Sequence, residues 1–155
     1  MSPTASIDDV NSVADMTLSL AELRLRLHNR RSAVVLGLVG LAGVHILDLP
    51  AKFEETPYLA WAYIGIILFA VVVVERLTVK GSVLDYLGAA GVSLAVFAGY
   101  VINRTVGMPG AMGDIGNWWE PLGLLSLFIE LFAVWHSVAG YITLVRLCRA
   151  EAVDA

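Results

Sequence analysis

The chain has 155 residues, a net charge of −4, 58% hydrophobic and only 15% charged residues, and a mean hydropathy of +0.77. A soluble domain carries roughly a quarter charged residues, and the apolar residues here fall in long blocks, so lipid is the expected solvent and no nucleic-acid partner is expected. A single cysteine, Cys148, excludes an internal disulfide and any C-x-x-C pair, and with them the four-helix enzymes that form disulfides or reduce quinones through cysteine pairs.

Residues 1–31 lack an apolar core followed by a small-residue cleavage site, so no secretory signal is expected. The first dozen, with Ser, Pro and Asp and little apolar content, are expected to be mobile. The stretch 15–31, DMTLSLAELRLRLHNRR, alternates leucines with charge. That pattern predicts a short amphipathic helix lying at the membrane surface, with a docking helix for a partner protein as the rival reading.

Apolar blocks follow at 33–49, 58–74, 83–102 and 121–145. They predict an all-α fold, a four-transmembrane-helix bundle at 32–148 with a tail at 149–155, preceded by the N-terminal segment 1–31. Pro50 and Pro57 bracket the first outer turn, Gly81 and Ser82 mark the second, and Pro121 suits the first turn of the last helix. Arg24, Arg26, Arg30, Arg31, Arg76, Lys80, Arg146 and Arg149 fall on one side, against Lys52 and Arg104 on the other. Basic residues favour the cytoplasmic side, so both termini are expected in the cytoplasm.

Gly37, Gly40 and Gly43 in the first span and Gly91, Ala95 and Gly99 in the third read as close-packing positions, with no ligand required. The fourth span carries Gly123, Ser126, Glu130, Ala133, Ser137 and Gly140 at steps of three and four, which places them on one stripe. Glu130 lies ten residues beyond Glu120, about 15 Å along the helix. A carboxyl at that depth has to be protonated, paired or hydrated, and is a functional candidate by default. A protonated acid bonded across the bundle is the structural alternative.

VHILDLPAKFEETPYL places His45 and Asp48 on one face near the outer end, followed by Lys52, Glu54 and Glu55. The pair suits metal binding or proton transfer, but also a simple hydrogen-bonded turn. NRTVGMPGAMGDIGNWWEP, residues 103–121, has glycines at 107, 110, 113 and 116 and predicts tight turns forming an ordered extracytoplasmic loop. Trp118 and Trp119 suit the headgroup layer. Arg104 is expected to pair with Asp48, Asp114 or Glu120, so the polar outer cluster comprises His45, Asp48, Lys52, Glu55, Arg104, Asp114, Asn117 and Glu120. Met108 and Met112 offer thioethers to Cu(I) beside His45 and Asp48, a minor metal reading. His45 and His136 differ in depth by about 15 Å, which argues against a shared bis-histidine haem.

HILDLPAKFEETPYL together with NRTVGMPGAMGDIGNWWEPLGLLSLFIE resembles uncharacterised small four-helix integral membrane proteins of actinomycete bacteria, over residues 33–135. The resemblance implies a four-helix bundle in a bacterial plasma membrane and no particular activity. The matching positions are His45, Asp48, Lys52, Glu55, Pro57, Arg104, Asp114, Asn117, Glu120 and Glu130; Met108 and Met112 fall outside it. Three functions compete. The leading expectation, by elimination, is a non-catalytic subunit stabilising a larger membrane enzyme, such as a redox or metal-dependent oxygenase complex. The others are a small proton-coupled transporter using Glu130, and a metal- or cofactor-binding protein using His45 and Asp48. No nucleophile–base set or complete ligand set supports a self-sufficient enzyme.

Overall fold

The computed structural model describes residues 7–153, with side chains from 16 to 152. Within them the chain forms α1 (Ile7–Glu55), α2 (Pro57–Val79), α3 (Val83–Thr105) and α4 (Pro121–Val153), plus a 3-10 turn at Met112–Asp114, and no strand. All four α-helices are long and apolar enough to cross a membrane, so this is a multi-pass membrane protein with an all-α four-helix bundle. Leu36, Leu47, Leu68, Leu94, Phe128 and Trp135 project outward and are exposed, as expected where the surrounding medium is lipid.

The helices follow one another around the bundle, α1 packing on α2 and α4, and α3 on α4 and more loosely on α2. Each turn has a local cause. Pro57 starts α2 where its missing N–H is not needed. Gly81, at φ +63°, lets the chain reverse where any Cβ would strike the Arg31 guanidinium. Asp85 then caps α3, accepting from the Ser82 amide at 2.8 Å and hydroxyl at 2.7 Å and from Arg76 Nε at 2.6 Å.

The helices outrun the apolar blocks, and the amphipathic stretch 15–31 is not a separate surface helix. It continues α1 without a break, and α1 also runs through Pro50 to Glu55, leaving Thr56 alone as the turn. The reason lies in α4, which extends to Val153. Leu20, Leu23, Tyr141 and Leu144 all pack on the cluster containing Leu27 and Leu147, and Arg24 meets Glu151 at 2.8 Å. Leu20, Leu23 and Leu27 thus cover the end of α4, while Leu18 and Leu25 face outward. Of the expected mobile dozen, residues 1–6 lie outside the described residues, and helix begins at Ile7.

Two halves of the bundle differ. Toward the end that bears Arg31, Lys80 and Arg149 (the basic end), Val34, Leu38, Val73, Leu77, Tyr86 and Ala89 form a continuous core. Small residues set its spacing: a Cβ on Gly37 would sit 2.9 Å from that of Ala133, and one on Gly140 would overlap the buried Tyr86 ring. A second cluster, Leu41, Ala42 and Ala70, closes the core at mid-height. Beyond it, toward the 103–121 loop, the bundle is hollow.

Overpacking a filled core costs about 1–3 kcal/mol. Gly140→Val is therefore expected to lower the melting temperature in detergent, whereas Gly43→Ala, where a Cβ meets nothing within 4 Å, leaves it unreduced. Equal melting of the two variants would show that the basic half is not close-packed.

Candidate functional site

The hollow half contains a partly open cavity of ≈ 260 Å³ to which all four helices and the loop contribute. Such a volume exceeds the roughly 150 Å³ that accommodates benzene. Its walls are apolar or small, among them Val44, Leu59, Ala62, Ile66, Val96 and Gly99. Polar groups lie at its two ends, a ring under the loop and Glu130 with Ser126 at the floor.

The ring is built around Arg104, on the last turn of α3. It is 5% exposed. One guanidinium nitrogen donates to Asp114 Oδ1 at 2.9 Å, the other meets the Glu120 carboxylate, and the plane lies 5.0 Å over the Tyr100 ring. Asn103 Nδ2 donates to the second Asp114 oxygen at 2.8 Å. A buried guanidinium needs this many acceptors, because an unpaired charge there would cost several kcal/mol.

Loop backbone geometry brings those acids inward. Gly107, Gly110 and Gly116 adopt φ of +84°, +78° and +80°, which side chains disfavour. At Gly107 there is also no room, since a Cβ would come within 2.8 Å of Met112 Sδ. The Gly116 amide donates to the Arg104 carbonyl at 2.9 Å. Tyr58 on α2 donates to the Pro109 carbonyl at 2.8 Å, and Trp118 packs edge-on against Tyr100 at 6.1 Å. The loop is an ordered lid.

On the α1–α2 wall, Tyr63 donates to Asp48 Oδ2 at 3.1 Å and contacts the His45 ring at 4.5 Å. His45 gives its Nδ1 proton to the Leu41 carbonyl at 2.8 Å, since a carbonyl can only accept. Nε2 remains for contacts within the cavity. His45 and Asp48 thus take separate partners instead of bonding to each other. Lys52 binds Glu55 at 2.9 Å.

At the floor Glu130 is fully buried. Its Oε1 accepts from Ser126 at 2.5 Å, while Oε2 has no hydrogen-bond partner. Ala133 and Ser137 of its stripe are buried as well. His136 points elsewhere, taking a bond from Arg30 at 3.0 Å beside Phe132.

Of the expected cluster, His45, Asp48, Lys52, Arg104, Asp114 and Glu120 line the cavity together with Glu130 and Met108. Glu55 and Asn117 do not; both are exposed, and Glu55 serves only as the partner of Lys52. Of the four residues named for copper, His45, Asp48 and Met108 line the cavity, whereas Met112 lies outside the lining and against Gly107. No group of three His, Cys, Asp or Glu among the described residues is placed to hold a metal. Sequence reasoning missed Tyr63, Tyr100 and Asn103. Tyr63 was within reach: it lies seven residues after Thr56 and Asp48 eight before, so an antiparallel pairing across that turn puts them level.

No family model, curated protein or solved structure matches the chain. The functional reading therefore rests on the cavity itself.

Removing one partner of a buried pair costs about 3–5 kcal/mol, and of an exposed one under about 1. Arg104 is buried while its acids are partly open to solvent, so Arg104→Ala is expected to cost about 1–3 kcal/mol. It should also speed proteolysis within 106–120. Unchanged cleavage and melting would mean that something other than Arg104 orders the lid.

Proposed function

We propose that the protein is a small carrier of the bacterial plasma membrane that binds a hydrophobic monovalent cation in its bundle, in exchange for a proton on Glu130. The observation that carries this reading is the cavity joining the polar ring to a buried carboxyl with one unused oxygen. Among the lining residues the acids Asp48, Asp114, Glu120 and Glu130 outnumber the bases Lys52 and Arg104, and both bases are already paired. Apolar walls with one acid at the far end suit a molecule with an apolar body and a positive charge. An ionised carboxylate in that setting requires a counter-charge, so a proton and a cation are natural alternatives on the same group. An accessory role in a larger enzyme complex calls for an outward interface, whereas the distinctive chemistry of this bundle faces inward.

The excess of basic residues at one end orients the protein with both termini in the cytoplasm and the lid outside. Cys148 is exposed and is the single thiol. In intact cells a membrane-impermeant maleimide is expected to spare Cys148 and to label Trp119→Cys in a Cys148→Ser background, Trp119 being 84% exposed. The reverse pattern would invert the orientation.

Benzyltrimethylammonium tests the chemistry, since it carries a fixed charge and does not cross lipid unaided. Added to the protein in weakly buffered detergent, it is expected to release a proton, and an imposed pH gradient should drive its uptake into proteoliposomes. Glu130→Gln retains the hydrogen bond with Ser126 and the fold but has no proton to exchange, so both signals should fall at least tenfold. Unaltered proton release or uptake in a folded Glu130→Gln protein would remove Glu130 from the reaction.

A further inference from the structure

Below Glu130 the bundle is close-packed, yet its α3–α4 seam contains buried oxygens with nothing to bind. Ser93 and Ser137 are fully buried, and neither hydroxyl has a hydrogen-bond partner. Three other helical hydroxyls among the described residues satisfy themselves: Ser32, Thr105 and Thr143 each donate to the carbonyl four residues earlier, at 3.2, 2.7 and 2.8 Å. That bond is available to any serine in a helix. Tyr86, also fully buried, continues the same seam and places its hydroxyl beside the Arg31 guanidinium.

These groups form a column. Gly140 faces Tyr86 and Gly123 faces Tyr100, which fixes the antiparallel register of α3 and α4. Ser93, midway between the two tyrosines, therefore falls level with Glu130 and Ala133. Ser137 comes next and Tyr86 last, near Arg31 and the basic end. A buried hydroxyl without a partner costs about 1–3 kcal/mol, and a succession of them needs an explanation.

We infer that this seam is the other half of the translocation path: in a second conformation α3 and α4 part, and Ser93, Ser137 and Tyr86 line a water-filled passage from Glu130 to the basic end. This rests on the carrier reading and supplies what the present conformation lacks, a way out for the cation on the side opposite the lid. The two serine hydroxyls are unsatisfied here because their partners, water and the passing cation, belong to the other state. Part of the cost of the closed seam is recovered when it opens, which helps keep the two conformations close in free energy.

Single cysteines in a Cys148→Ser background test the assignment. In proteoliposomes, a water-soluble charged thiol reagent supplied from the basic end is expected to modify Ser137→Cys and Ser93→Cys, although both sites are sealed in this conformation. Ala70→Cys, equally buried in the mid-height core, serves as the control and should react at least tenfold more slowly. Saturating benzyltrimethylammonium should change the seam rates at least threefold and leave the control alone. Seam cysteines as inert as the control, in protein that still transports the cation, would overturn the inference while sparing the carrier reading. Reactive seam cysteines in protein that fails to bind or transport the cation would instead count against the carrier reading. Ser93→Ala/Ser137→Ala provides a second route should either cysteine variant fold poorly. It is expected to slow transport at least fivefold while proton release on cation binding persists; unchanged transport would exclude the seam.

Discussion

One guanidinium holds the loop end together. Arg104 comes from α3, Asp114 from the 3-10 turn of the lid and Glu120 from the residue just before α4, so a single buried charge ties the end of one helix, the lid and the entry to the next helix to one point. A bilayer offers no water to satisfy irregular backbone within it, and the connection at 106–120 without internal support would leave the cavity open. The clamp lets the lid stay short of regular structure and still be ordered. It also neutralises its own charge, so the ring of polar groups presents hydrogen-bonding surface without a strong net positive field.

Small residues have opposite effects in the two halves of the bundle. At Gly37 and Gly140 they allow backbone and ring to meet; at Gly99 and Ala95 the same kind of residue makes space and lines the cavity. Lipid-facing helices gain little from hydrophobic association, so contact has to come from packing. Where one half is filled and the other hollow, cohesion is concentrated in the filled half, and the hollow half depends on polar ties at its rim. Cavity and cohesion are thereby separated along the helix axis.

That distinction sets the limit of what the sequence disclosed. The stripe through Glu130 was readable because helical periodicity alone assigns a face, and Gly107, Gly110 and Gly116 announced turns because few other residues tolerate their backbone angles. The void was not readable: Gly91, Ala95 and Gly99 have the signature of a contact face whether or not a neighbouring helix arrives. Likewise, the leucines of 15–31 showed that something apolar would cover them, but membrane, partner and the distant end of α4 look alike from one end of the chain. Partners of polar groups were legible only as charge complementarity. Arg104 named its candidates by sign, whereas the Tyr63–Asp48 bond required knowing where α1 turns into α2.

The continuity of α1 has a mechanical consequence. Its 49 residues make a rod about 70 Å long, more than twice the ~30 Å of a hydrocarbon core. His45, Asp48 and Lys52 sit near one tip, and the other tip lies about 25 Å beyond Arg24, where α1 meets the end of α4. A rod without a joint in its middle transmits rotation undiminished: tilting it by ~5° about its centre displaces each tip by ~3 Å in opposite directions. Pro50, where an interior kink would arise, lies within the last turns at the lid end and leaves the long arm stiff. Rearrangement around the cavity is therefore felt as leverage along the long arm, where Arg24 and Glu151 join α1 to the end of α4.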